Sequence, residues 1–231
     1  INIQEGAKVS GGQAGIKIGQ SQEVKNSNGT GKDNTVGQII VAGEVKGGSE
    51  GGIVNEGTIK ADANGKSRKR RSLDESQQSD EESKAAILIK ESGQITSTSG
   101  KAGIINKDKG KIEGNIISKS SNTISLENQG SVTGNISNSG TGNLMIENKN
   151  NGSSTATISG NIANTGDGSL MLNNSSTLTG NIYNYGSGKL TIENQTNTQN
   201  GNTSISGYVA NIGMGQLELM NNASISGSAY N

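Results

Sequence analysis

The chain contains no cysteine, proline, histidine, tryptophan or phenylalanine, and its only aromatic residues are four tyrosines. Without cysteine there is no disulfide framework and no thiolate metal site. Without histidine there is no Ser-His-Asp triad, no Cys-His pair and no imidazole ligand. The aromatic and leucine-rich clusters on which a compact globule relies are missing. Hydrophobic residues make up 28%, well under the about 45–50% of ordinary globular domains. No stretch approaches the roughly 18 consecutive apolar residues of a membrane helix, and no signal peptide pattern is visible. The opening "INIQEG" is already strand-like and lacks an initiator Met, so the expectation is a piece cut from a longer protein. Two classes remain: disorder, or a fold whose core is a thin line of small aliphatics. Disorder usually goes with charge excess and few β-branched residues, whereas here twenty basic residues balance 20 acidic ones and Ile and Val recur throughout; for the C-terminal half a repeat settles the matter.

What is present is a repeat. "TGNISNSGTGNL" at 133–144 returns as "SGNIANTGDGSL" at 159–170 and "TGNIYNYGSGKL" at 179–190. Aligned on Gly114, Gly134, Gly160, Gly180, Gly207 and Gly227, the copies are spaced by 20, 26, 20, 27 and 20 residues. A period of 20 with six- or seven-residue insertions accounts for every interval. Within a copy, residues alternate with the period of a strand, as in Val132-x-Gly134-x-Ile136-x-Asn138 and Leu144-x-Ile146-x-Asn148. A unit of two short strands cannot bury its apolar face alone. Stacked copies bury it by pairing each strand in parallel with its equivalent, about 4.8 Å away. An all-β parallel β-helix follows, a solenoid with loop insertions and a core one side chain wide. The glycine at the third motif position is expected to allow a tight bend or a narrow stretch of core.

An asparagine ends each strand segment: Asn138, Asn164, Asn184 and Asn211 in one series, Asn148, Asn174, Asn194 and Asn221 in the other. Two structural readings stand open. These residues form inward ladders with amides bonded from turn to turn, or they are outward turn residues that tolerate left-handed backbone.

The N-terminal half repeats the pattern more loosely. "INIQEGAKVSGG", "GGIVNEGTIKAD", "AAILIKESGQITS" and "AGIINKDKGKIEG" each read as strand, glycine turn, strand. Ile1/Ile3, Ile16/Ile18, Ile39/Val41, Ile87/Ile89 and Ile104/Ile105 are expected to continue the core. The Asn-Gly pairs at Asn28, Asn64, Asn151 and Asn200 all fall in excursions from the pattern, as turn chemistry requires. The organisation read from this is one β-helix over 1–231, most regular over 112–231, with a charged insertion at 60–84 expected to be mobile. About ten rungs would make a rod on the order of 45–50 Å long.

The insertion carries Arg68, Lys69, Arg70 and Arg71, then Ser72, then an acidic run from Asp74 to Glu82. It reads as a solvated excursion on a solenoid face, or as a proteolytic processing site of the dibasic kind. A nucleic-acid or heparin surface is the third reading, weakened because the acidic run cancels the long-range field. No phosphate-binding Gly-x-x-x-x-Gly-Lys-Ser/Thr motif occurs. Asp108, Glu113, Glu127 and Asp167 sit at different phases of the repeat, unlike the paired carboxylates of glycoside hydrolysis. The residues point to no enzyme, no cofactor and no metal.

Repeats of the form I-x-G-N-I-x-N-x-G-x-G-x-L-x-I-x-N, preceded by rungs such as "GGIVNEGTI", resemble the passenger domains of Gram-negative autotransporters, the vacuolating-cytotoxin-like and self-associating adhesin group among them. The resemblance covers most of the chain outside 60–84 and lacks the translocator barrel. It implies a right-handed helix, export through the outer membrane, and a secreted or cell-surface location. Its motifs are those of a fold and say little about activity. The expected function is adhesion or host-cell interaction, through insertions at 20–35, 60–84, 148–156 and 195–203. The partner is a host-cell surface protein or matrix, with self-association possible and no nucleic acid. The alternative is a released virulence effector, a toxin subunit or receptor ligand, processed at the basic loop.

Overall fold

The computed structural model describes residues 1–19, 24–26, 29–31, 35–61, 82, 84–151, 155–196 and 203–231, with backbone only for 24–26, 29–31 and Thr35. Three long parallel stacks run along the molecule. The first face holds nine strands, from Asn2–Ile3 and Ile39–Val41 through Ala85–Ile89, Asn115–Ser118 and Ile136–Asn138 to Ala229–Tyr230. The second holds eight, among them Thr58–Lys60, Lys111–Glu113, Ser131–Thr133 and Thr157–Ser159. The third holds eight more, from Ile16–Ile18 and Ile53–Asn55 through Leu144–Lys149 and Leu170–Ser175 to Leu217–Asn222. The chain is a parallel β-helix. Among the described residues, nine strands at the parallel-sheet spacing span roughly 38 Å. An antiparallel pair, Val24–Asn26 with Gly29–Gly31, stands outside the stacks.

The rung has three strands where the sequence suggested two. Val132-x-Gly134-x-Ile136 is not one strand: Ser131–Thr133 belongs to the second face and Ile136–Asn138 to the first. The corner between them is the motif glycine, with φ of 130° at Gly114, 143° at Gly134, 151° at Gly160, 145° at Gly180 and 153° at Gly207. These corners stack, and a Cβ at Gly160 would collide with the carbonyl oxygen of Gly134 below it. Glycine supplies both the positive φ and the clearance. In the N-terminal half a fourth strand widens the rung: Lys8–Ser10, Glu44–Gly47 and Gln94–Ser97 form their own parallel stack. The extra corner strand explains why the repeat is looser there.

Identical or similar aliphatics sit above one another inside. Ile39, Ile87, Ile116, Ile136, Ile162, Ile182 and Val209 share one column. Ile59, Ile112, Val132, Ile158, Leu178 and Ile205 share another. All of them are fully buried, and burial of each is worth about 1.5–3 kcal/mol. A core of this kind needs no aromatic bulk because every added rung brings its own wall. Two expected core positions differ. Ile1 is 49% exposed, and Ile105, although buried, is on the outward side of its strand, in register with Val54 and Glu127, while Ile104 and Asn106 beside it point in.

Candidate functional site: asparagine rows and the first-face cleft

The third-face asparagines form a continuous inward ladder. The Nδ2 of Asn55 donates to Oδ1 of Asn106 at 2.8 Å, and the pattern continues through Asn128 (2.8 Å), Asn148 (2.9 Å), Asn174 (2.8 Å), Asn194 (2.8 Å) and Asn221 (2.7 Å). On the first face Asn138 donates to Asn164 at 3.2 Å, Asn164 to Asn184 at 3.0 Å, Asn184 to Asn211 at 2.9 Å and Asn211 to Asn231 at 2.7 Å. Asn138, Asn148, Asn164, Asn174, Asn184 and Asn194 are buried, whereas Asn211 and Asn221 lie nearer the surface. In most of these residues the amide also reaches a backbone carbonyl, as from Asn174 to the carbonyl of Ser176 at 3.0 Å. A primary amide has an acceptor and two donor hydrogens, so it can relay the same bond from rung to rung and still donate a hydrogen to a backbone carbonyl; a hydroxyl has one hydrogen for both, and an ionised carboxylate has none.

Asn55, Asn106 and Asn231 belong to the same ladders. A third row went unread in the sequence. Asn115, Asn135 and Asn161 each follow a corner glycine, and each Oδ1 accepts the backbone N–H of the equivalent residue one rung on, at 3.0, 2.9 and 2.9 Å. Asn181 continues the row, accepting from the N–H of Tyr208 at 2.9 Å. The signal was the Gly-Asn dipeptide of the first four copies, Gly114-Asn115 to Gly180-Asn181.

The outward side of the first face changes character along the rod. Ile40, Leu88 and Ile117 are in register, with Leu88 fully buried and Ile117 nearly so in a small apolar cluster outside the core. The same column continues as Ser137, Ala163, Tyr183, Ala210 and Tyr230. An open cleft of about 410 Å³ lies over this stretch. Lys119, ion-paired with Glu82, lines it together with Ile117. Tyr183 and Tyr185, with ring centroids 5.4 Å apart and planes 32° from parallel, line it further along the column. Tyr208 and Tyr230 form a second pair, 6.3 Å apart. All four aromatic rings of the chain therefore gather in its last quarter, and Tyr185, Tyr208 and Tyr230 are each about half exposed.

The pKa of the N-terminal amine of Ile1 is lowered by burial, and the charged side chains with resolved perturbations lie on the third face. Lys107 Nζ bonds Glu56 at 2.9 Å and Glu50 at 3.5 Å, and Lys17 reaches the same two carboxylates. The Lys107 hydrogen bond holds Glu56 below the ordinary carboxylate range, against the opposing effect of burial. The same bond raises Lys107. For Lys149 burial works the other way, but bonds and charges from Glu147 and Glu127 outweigh it and raise the amine. Among the described residues no three His, Cys, Asp or Glu side chains gather into a metal-holding group. Arg68, Lys69, Arg70, Arg71 and Ser72 lie outside the described residues.

The fold and these rows define a polar-laddered parallel β-helix. No protein-family model, curated protein or solved structure matches the chain.

Proposed function

We propose that the chain is a passenger-type β-helical rod, exported to the bacterial surface or released from it, that mediates adhesion or host-cell contact. The observation that supports this is where its insertions emerge. The excursions after Ile16–Ile18, Leu144–Lys149 and Leu190–Gln195 all leave a third-face strand and return to a second-face strand, Thr35–Val36, Thr157–Ser159 and Ser204–Ser206 respectively. Elsewhere the same corner is closed by as few as two residues, as between Asn128 and Ser131. Variable segments thus share one edge of a regular scaffold, the arrangement by which rigid solenoids present binding surfaces. The fourth excursion leaves the next corner, between Thr58–Lys60 and Ala85–Ile89. The reading assigns the rod no catalysis, and its partner is a host-cell surface protein or matrix, with a second copy as the other case.

The test is display of the chain on a non-adherent bacterium, with host-cell and matrix binding counted. Replacing the segments at 20–35, 60–84, 148–156 and 195–203 by minimal turns should abolish binding while the β spectrum persists. Undiminished adhesion would end this reading. The basic run at 68–71 favours a second one, a released effector processed there. It requires that purified cut protein change host cells when soluble, and inert protein at every dose removes it.

A further inference from the structure

The first-face cleft has the makings of a ligand site that the insertions do not explain. One wall is the Tyr183–Tyr185 pair, in a chain that places no aromatic ring in its core. Asn135 and Asn161 line the cleft, and the Oδ1 of each is committed to a backbone N–H of the next rung. That commitment fixes which end of the amide is which, and leaves each Nδ2 as an oriented donor with no bond to the described protein. Identical donors one rung apart are repeated at about 4.8 Å along the cleft. Among the described residues, the only ionisable groups lining it besides the tyrosines are Lys119 and Glu82, and these neutralise one another. Ser137 and Thr165 add hydroxyls, and Ala163 leaves the floor low between them.

From this geometry we infer that the cleft binds a neutral oligosaccharide lying along the rod. Aromatic rings pack on the C–H faces of sugars, while fixed amide donors meet ring and hydroxyl oxygens without an ordering cost. The balanced charge complements an uncharged polymer and gives no advantage to a polyanion. A peptide added as a strand has no place here, because the cleft opens over a sheet face whose backbone groups are already paired between rungs, not along an open edge. The inference rests on the reading of the chain as a binding rod and names the ligand class of a second surface on it.

The experiment is calorimetric titration of the 231-residue chain with cellohexaose, maltohexaose and a heparin hexasaccharide. At least one neutral oligomer is expected to bind and heparin to give no heat. The double variant Y183A/Y185A removes two partly exposed rings and should weaken binding about tenfold or more. A163R leaves both rings in the chain but places bulk and charge on the floor beside Tyr183, its neighbour in the column, and should do the same. Both variants are first checked for an unchanged β spectrum and melting temperature. No neutral oligomer bound at millimolar concentration, stronger binding of heparin, or equal binding by both variants overturns the inference. If titration fails while displayed chain still adheres to cells, only the cleft is lost. If titration succeeds and displayed chain does not adhere, the adhesion reading falls and the cleft stands.

Discussion

Ser118 and Asn138 occupy the same inward column on adjacent rungs, and neither Ser118 Oγ nor Asn138 Oδ1 has a hydrogen-bond partner among the described residues. They mark a change of core chemistry. Below them the column is aliphatic, Ile3, Val41 and Ile89; above them it is the amide ladder. The third face makes the same transition at Asn55, above Ile18, but there Oδ1 of Asn55 accepts the N–H of Gly57 at 3.2 Å. The first-face ladder begins without such a cap.

S118N is therefore expected to stabilise the protein. Its Nδ2 would continue the relay by donating to Asn138 Oδ1, and one buried hydrogen bond is worth about 1 kcal/mol. In a chain of this size that corresponds to a rise of about 2–4 °C in melting temperature, read by circular dichroism. S118A, which deletes an unpaired hydroxyl, should cost little. A lower melting temperature for S118N than for S118A would show that the column cannot take the longer side chain.

Two glycines with positive φ separate backbone strain from steric closure. Gly100, at φ 72°, has open space where a side-chain carbon would sit, and Gly160, at φ 151°, faces the carbonyl of Gly134. G100A should cost only the left-handed penalty, about 1–2 kcal/mol. G160A adds displacement of a stacked backbone and should cost roughly 3 kcal/mol or more. Chemical denaturation of the two variants checks the order, and equal losses would refute the stacking argument.

Acid and alkali should each remove part of the third-face ion cluster. Glu56 has a lowered folded-state pKa, so its contribution is complete above its ordinary value of 4.5 and disappears as pH falls through the lowered value. Lys107 has a raised one, so its contribution is complete below 10.5 and disappears as pH rises through the raised value. Both pairs are partly solvated, and the effect is small at high salt. Melting curves of the parent and E56Q should differ near neutral pH and converge as the pH falls through the lowered pKa of Glu56. Parallel curves over that interval would contradict the assignment.

A trypsin or furin-type cut after Arg71 should not release two halves. Residues before the insertion pair with residues after it on all four sides of the rung: Ile39–Val41 with Ile87–Ile89, Glu44–Gly47 with Gln94–Ser97, Ile53–Asn55 with Ile104–Asn106, and Thr58–Lys60 with Lys111–Glu113. Size-exclusion chromatography of nicked protein should give one peak containing both masses, which part only in denaturant. Separation in native buffer would mean that the connection, not the pairing, holds the rung together.

Much of this architecture is legible in the residues alone. The 20-residue spacing of Gly114 and Gly134 implies stacking, and stacking places like residues on like. The position of Asn138 two residues after Ile136 puts both on one side of a strand, yet the sequence leaves an outward orientation open because a turn follows at once. Gly134 is the harder case. Strict alternation runs straight through it in the sequence, and only a φ of 143° shows that the strand turns onto another face there.

The repeat, the parallel stacking and the like-on-like columns can be read from the residues, because each is written locally and restated every rung. Which side of each strand faces in, how many faces a rung has and what meets across rungs emerge only when the chain is folded. Tyr183 and Tyr230 fall in one column, with Ala210 between them, because an insertion of seven residues is absorbed at a corner and leaves the register intact. Register of that kind is a long-range property: it depends on where extra residues leave the helix, and no local pattern records it.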